Sequence, residues 1–204
     1  MTAVNVSVIY YSASGTTHEM AERLAQAAEK AGAEVRRRHV AELAPDDVIE
    51  KVEPWAQHRR LVEDEPVATA DDVTWADVVL FGSPTRFGNV ASQLKQFIDT
   101  LGPQWGQGLL ADKVYAGFTS TQTAHGGQES TLLSLYNVIY HFGGIIVAPG
   151  YTDPVKFAEG NPYGVGKVTG PDNDAPLEDT ELHALDHMAE RCIDVARKLK
   201  SGSS

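Results

Sequence analysis

The sequence predicts an α/β protein, a doubly wound five-stranded parallel sheet with helices on both faces. Short β-branched runs alternate with stretches of helical period, the signature of such a sheet. One run, Val78 to Gly82 (VVLFG), is apolar without interruption, as a strand covered on both faces must be. Three of the strands give way to small, polar, glycine-bearing loops.

The first strand runs from Val4 to Tyr11 (VNVSVIYY) and stops in a polar turn at Ser12. Thr17 to Ala31 follows as a helix, because Met20, Leu24, Ala27, Ala28 and Ala31 recur at 3.6-residue spacing and Gly32 ends it. Glu34 to Val40 (EVRRRHV) is a strand whose Arg36, Arg37 and Arg38 suit a sheet edge, where charge blocks unwanted pairing. From Ala44 to Trp75 the pattern is weak, and Pro45, Pro54, Pro66 and many charges predict a long connection with one short helix at Asp46 to Lys51. After the VVLFG strand, Ser92 to Leu101 is a helix with Leu94, Phe97, Ile98 and Leu101 on one face. Lys113 to Thr119 is the fourth strand, Gln128 to Phe142 a helix carrying Leu132, Leu135, Tyr136 and Ile139, and Ile145 to Ala148 closes the sheet. Pro149 to Pro176, rich in Gly, Pro and Asp, reads as a long loop. Glu178 to Lys200 is a last helix with the stripe Leu182, Leu185, Ala189, Cys192, Ala196 and Leu199. Residues 1–200 therefore read as one domain, followed by a disordered tail at 201–204.

Composition narrows the function. The 204 residues include a single cysteine, Cys192, which excludes an internal disulfide framework and a cysteine-ligated cluster supplied by one chain. Redox chemistry here needs an organic cofactor. Seventeen basic against 28 acidic residues give a net charge of −11, which opposes binding to nucleic acid or to an anionic membrane. The start, MTAVNVSVIYY, lacks the basic and apolar regions of a signal peptide, and no stretch approaches a membrane span. A cytoplasmic protein without membrane insertion is the expectation.

In an open α/β sheet ligands bind beyond the carboxyl ends of the strands, which directs attention to the three loops. Ser12-Ala13-Ser14-Gly15-Thr16-Thr17 places four hydroxyls and a turn glycine between a strand and a helix N-terminus, a site for a phosphate monoester without lysine. Simple N-capping by Ser14 or Thr16 is the plainer alternative. The second loop, Gly82-Ser83-Pro84-Thr85-Arg86-Phe87-Gly88-Asn89, offers Phe87 to cover an aromatic ring and Arg86 and Asn89 as donors. The third, Thr119 to Glu129, is again small and glycine-rich before a helix. A dinucleotide G-x-G-x-x-G motif and a G-x-S-x-G nucleophile elbow do not follow any strand. His183 and His187 lie off the apolar stripe and read as solvated, Tyr136 and Tyr140 as helix packing, and Cys192 as a buried apolar residue.

The first loop resembles the phosphate loop of flavodoxin-like FMN proteins. With it, FGSPTRFGN, STQTAHGGQE and NPYG resemble, over essentially the whole chain, the WrbA family of type IV NAD(P)H:quinone oxidoreductases. That resemblance implies a flavodoxin-like sheet of order 2-1-3-4-5, one FMN per subunit, NADH or NADPH as donor, a small quinone as acceptor, no metal, and a homotetramer, a dimer of dimers whose subunits complete each other's sites. It implies that Ser12, Ser14, Gly15, Thr16 and Thr17 cradle the FMN phosphate. Pro84, Thr85, Arg86, Phe87, Gly88 and Asn89 would border the isoalloxazine, with Ser120, Thr121, Gln122 and Gly126 on its other side or at the ribityl chain. Trp105 would reach a neighbouring subunit's flavin, and His141 would approach flavin and substrate and donate a proton or hydrogen bond to the quinone. Arg86 or backbone N–H groups would stabilise the reduced flavin, and Phe87 with a neighbour's Trp105 would sandwich nicotinamide and then quinone in one shared site, which implies ping-pong kinetics. Ala124-His125 stands where the family commonly has glycine and makes the third loop bulkier. Two alternatives stay open: a one-electron carrier of flavodoxin type, and a regulatory binding protein.

Overall fold

A computed structural model describes residues 3–202. Its sheet has the path β2-β1-β3-β5-β6, built from β1 (Asn5–Tyr10), β2 (Glu34–His39), β3 (Val78–Arg86), β5 (Val114–Thr121) and β6 (Ile145–Ile146), all parallel. This is the expected 2-1-3-4-5 order once β4 (Asn89–Val90), a short antiparallel return from β3, is set aside. β1 shows why both faces fill: Val4, Val6, Val8 and Tyr10 enter one core while Ile9 and Tyr11 enter the other, the period of two of a pleated strand.

The first core is closed by α1 (Thr16–Lys30), through Met20 and Leu24, and by α9 (Asp179–Gly202), through Leu185, Met188 and Cys192. The second is closed by α5 (Ser92–Asp99) and α7 (Gln128–Phe142), through Leu94, Phe97, Leu132, Leu135 and Ile139. Burial pushes the Cys192 thiol up to about 12, and its S–H faces the Val147 carbonyl oxygen, so it is a packing residue as expected. β2 is an edge as predicted, and its arginines pair locally: Arg36 and Arg38 with Asp72, Arg37 with Glu65.

Several expectations are corrected. The connection 44–75 holds three helices rather than one: α2 (Asp46–Ile49), α3 (Glu53–Leu61) and α4 (Ala70–Trp75). α3 opens on Pro54 in its first turn, and α4 on a capping box in which Thr69 and Asp72 satisfy each other's backbone N–H groups. The closing strand is split. β6 pairs with only Val114 and Tyr115, then the chain leaves, forms α8 (Val155–Glu159), and returns as β7 (Val165–Val168) to pair with Phe118 through Thr121. Of the tail, Ser201 and Gly202 continue α9, and residues 203–204 lie outside the described residues. Tyr140 is 70% exposed and does not pack, whereas Tyr136 is buried and donates its O–H to the Tyr163 carbonyl. His183 is exposed and His187 meets the Thr152 hydroxyl. No helix among the described residues is long and apolar enough to cross a membrane, and none of their His, Cys, Asp and Glu groups could hold a metal ion.

Candidate active site

The three loops meet at the carboxyl ends of β1, β3 and β5 and line one cleft of about 580 Å³, within the usual range for a small-molecule site. Loop 1 turns at Gly15, whose φ of +107° is a conformation that favours glycine and whose N–H donates to Ser12 Oγ. No side chain caps α1, so the capping alternative for Ser14 and Thr16 fails. The helix starts beside the cleft, which Ser12, Ser14, Thr16 and Thr17 line while the N-cap Gly15 does not, and the helix dipole adds partial positive charge there. Thr17 Oγ1 lies 3.2 Å from Ser120 Oγ, which ties loop 1 to loop 3. Asn173 donates to Ser14 Oγ from the opposite rim.

Loop 2 is a β-hairpin that the sequence reading did not foresee. β3 continues to Arg86, Phe87 and Gly88 turn with φ of +54° and +77°, and Asn89 pairs back with Arg86. Positive φ at both central residues is the geometry of a type I′ turn, and a phenylalanine there carries strain of about 1–3 kcal/mol. The side chain gains no burial in return, since Phe87 is wholly exposed. The hairpin is held by close glycine packing: a Cβ on Gly127 would come within 3.1 Å of Gly88 Cα. Loop 3 is fastened by Thr121 Oγ1 donating to the Thr123 carbonyl and by the Thr169 N–H donating to the Thr121 carbonyl. Ala124 and His125 are exposed, so the extra bulk of this loop lies outside the cleft.

Of the residues expected at the cofactor, Ser12, Ser14, Thr16, Thr17, Pro84, Thr85, Arg86, Ser120, Thr121, Gln122 and Gly126 line the cleft. Phe87, Gly88 and Asn89 stand at its rim in the hairpin and do not line it. Trp105 and His141 lie elsewhere. α7 begins at the cleft and runs back beside the sheet, so His141, near its end, is about 20 Å away at 1.5 Å per residue. There the Trp105 indole N–H, from α6 (Gly102–Gly106), donates to the His141 carbonyl at 2.7 Å. Neither reaches the cleft of its own chain. The sequence reading missed Val52, Pro54 and Trp55 on one wall and Asp172 and Asn173 on another. A lone tryptophan and a proline amid charges were the only signal for the first group.

The donor set fits FMN: an uncapped helix N-terminus ringed by hydroxyls for a phosphate, and a proline, a threonine and Arg86 opposite loop 3 for a polar ring system. Among the described residues lining the cleft, Arg86 is the sole cation. Such a cleft on a doubly wound sheet of this order defines a flavodoxin-like nucleotide-binding protein. The model of the NADPH-dependent FMN reductase family matches residues 4–154, and the chain belongs to that family. Proteins named NAD(P)H dehydrogenase (quinone) are similar to it along their whole length. That of Deinococcus radiodurans is 43% identical over 201 residues, covering 98% of this chain and 99% of its own. That of Methylocella silvestris is 40% identical over 200 residues, covering 96% and 98%. Among solved structures, the flavodoxin, WrbA-like protein from Agrobacterium tumefaciens is 25% identical with a TM-score of 0.65, covering 96% of this chain and 99% of that one. Flavodoxin 1 from Bacillus cereus, at 17% identity and a TM-score of 0.60 over 93% and 97%, shares the fold.

Proposed function

We propose that this chain reduces quinones by two electrons with NADH or NADPH, through FMN held in the cleft. The observation that carries the reading is the uncapped start of α1, ringed by hydroxyls, opening into a cleft bounded by loops 2 and 3. Bound FMN supplies the two-electron relay between nicotinamide and quinone. Ser12, Ser14, Thr16 and Thr17, with the N–H groups that Gly15 exposes, hold the phosphate. Pro84, Thr85 and Arg86 border the ring on one side, and Ser120, Thr121, Gln122 and Gly126 on the other. The Arg86 guanidinium offsets negative charge in a site otherwise lined by neutral donors and Asp172. The buried lone thiol suits a reducing compartment, and the reading places the protein in the cytoplasm.

Trp105 and His141 take part from a second copy. α7 carries Phe87 beside its start and Trp105 and His141 at its end, with Leu133 and Tyr140 exposed between them. Two such helices packed antiparallel about a twofold axis bring each chain's Trp105 and His141 toward the other's hairpin. In that assembly Phe87 and the copy's Trp105 clamp planar substrates one after another, Gly88 and Asn89 shape the hairpin that presents the ring, and His141 hydrogen-bonds the quinone. A homotetramer built from two such dimers is expected by light scattering, and Tyr140→Glu is expected to dissociate it.

The function is tested on FMN-loaded protein mixed with NADH under nitrogen. Bleaching of the flavin within the mixing time, followed by recolouring with a quinone, is expected. A flavin that stays oxidised leaves the one-electron carrier or the regulatory binding protein. Parallel lines in double-reciprocal plots are expected for the shared site, and intersecting lines refute it. Ser12→Ala combined with Thr17→Ala is expected to weaken FMN binding at least tenfold, and unchanged affinity would falsify the phosphate assignment.

A further inference from the structure

The wall formed by Val52, Pro54 and Trp55 lines the cleft apart from the three loops that hold FMN. Among the described residues, Trp55 stands outside both core clusters, yet it is held firmly: its indole N–H donates to Glu42 Oε2 at 3.0 Å. Its only polar atom is therefore engaged behind the wall, and what it offers the cleft is an aromatic surface, flanked by a proline ring and the exposed Val52. Glu42 lies just beyond β2, and Tyr11, at the end of β1, also donates to it. Trp55 thus stands over the β2–β1 side of the sheet, while loops 2 and 3 stand over β3 and β5. With neighbouring strands about 4.8 Å apart, the two places are separated by roughly 10 Å. A flavin between loops 2 and 3 leaves this aromatic wall without a partner.

We propose that Trp55 is the stacking platform for the adenine of the NADH or NADPH donor, a subsite separate from the one that receives its nicotinamide. This rests on the reading of the cleft as an FMN and pyridine-nucleotide site. The donor carries two planar groups joined by a diphosphate, and the cleft offers two planar-binding places with Arg86 among their lining residues. Arg86 lines the same cleft as Trp55, so a diphosphate spanning the two places meets a cation on its way. The Glu42 carboxylate does not line the cleft: Tyr11, Trp55, Gln93 and the Leu43 and Ala44 N–H groups all donate to it behind the wall.

The test compares the FMN-loaded wild type with Trp55→Ala and Trp55→Phe. Saturation of flavin bleaching gives an apparent Kd for NADH and for reduced nicotinamide mononucleotide, which has no adenosine. Trp55→Ala is expected to raise the NADH value about 5- to 150-fold, the range for loss of one base–aromatic stack, with the penalty confined to the donor that carries adenine. Trp55→Phe is expected to keep most of the affinity. Independently of turnover, ADP-ribose is expected to quench tryptophan emission in the wild type and not in Trp55→Phe. Equal penalties for both donors, or a tenfold loss of FMN affinity in the Trp55→Ala apoprotein, would overturn the proposal, the second by assigning Trp55 to the flavin. A wild type whose flavin NADH does not bleach would sink the parent reading instead.

Discussion

Residues 42–66, rich in proline and charge, and residues 149–168, rich in proline and glycine, are alike in lacking periodicity, and each folds around a buried or half-buried carboxylate. Glu159 accepts hydrogen bonds from the Asn161 and Gly166 N–H groups and an ion pair from Lys156, which is fully buried and also donates to the Gly164 carbonyl. Glu42 accepts from two backbone N–H groups, a phenol, an indole and an amide, and none of these is a cation. The first knot is neutralised and completes the sheet edge through β7. The second keeps its charge satisfied by neutral donors and turns one of them, Trp55, toward the cleft. Two similar stretches therefore serve different ends: one stabilises the fold, the other shapes the site.

The sharpest way to break this contrast is to remove the cation. Lys156→Met leaves Glu159 buried without a counter-charge and is expected to cost about 3–5 kcal/mol, read as a lower urea midpoint. FMN affinity of the folded fraction is expected to stay within twofold, because neither Lys156 nor Glu159 lines the cleft. Adding Glu159→Gln is expected to restore much of the stability, since no lone charge then remains. A loss of FMN binding matching the loss of stability would show that the two segments are not separable.

Acid separates the segments next. The α3 region rests on His58, whose Nδ1 is buried without a partner, beside His18 with ring centroids 5.2 Å apart. Burial, reinforced by the charge of His18, lowers His58 to about 4, and burial also lowers His18 against the opposing pull of Glu65. The unfolded chain takes up these protons near pH 6.5, whereas the fold resists them. Stability is therefore intact above that pH and declines as pH falls to about 4, by on the order of 3 kcal/mol for His58 alone. Hydrogen exchange at pH 5 is expected to quicken in α3 and not in α8. His58→Phe is expected to flatten the response, and a pH-independent α3 would refute this account.

The same contrast explains how much was legible in the sequence. α7 was read residue for residue, because Leu132, Leu135, Tyr136 and Ile139 repeat at helical spacing between Gly127 and Gly143. Loops 1 to 3 were legible because each falls where an apolar run gives way to small polar residues, although β3 runs on to Arg86 and β5 to Thr121. α3 was not, since only Ala56 and His58 are buried along it and no apolar stripe forms. β7 becomes a strand because β6 stops at Ile146 and leaves the far half of β5 open, a vacancy that belongs to the sheet rather than to the residues Val165–Val168. The Phe87-Gly88 turn escaped because phenylalanine at positive φ is not a turn signal. Trp55 and Asn173 reach the cleft only through tertiary placement.

The smallest expected effect is the most specific. In Glu42→Gln the amide keeps one acceptor oxygen and adds an NH2 group where the other stood. The oxygen side best satisfied is Oε1, which meets Leu43, Ala44 and Gln93, so the new NH2 faces Tyr11 and Trp55. The Tyr11 hydroxyl can rotate its proton away and accept, but the indole N–H can only donate and is left opposing another donor. Burial alone would raise the Glu42 carboxyl, and it is held below its ordinary value by donors from Ala44, Gln93, Tyr11 and Trp55, so losing this balance has a cost. About 1–2 kcal/mol of stability is expected to go, with Trp55 emission shifted to the red as the ring loosens from the wall. Because Glu42 itself stays behind the wall, a weakened NADH complex in this variant would act through the orientation of Trp55. Unchanged tryptophan emission together with a weakened complex would mean that Glu42 acts on the ligand directly, and the distinction between a knot that holds the fold and a knot that holds the site would have to be redrawn.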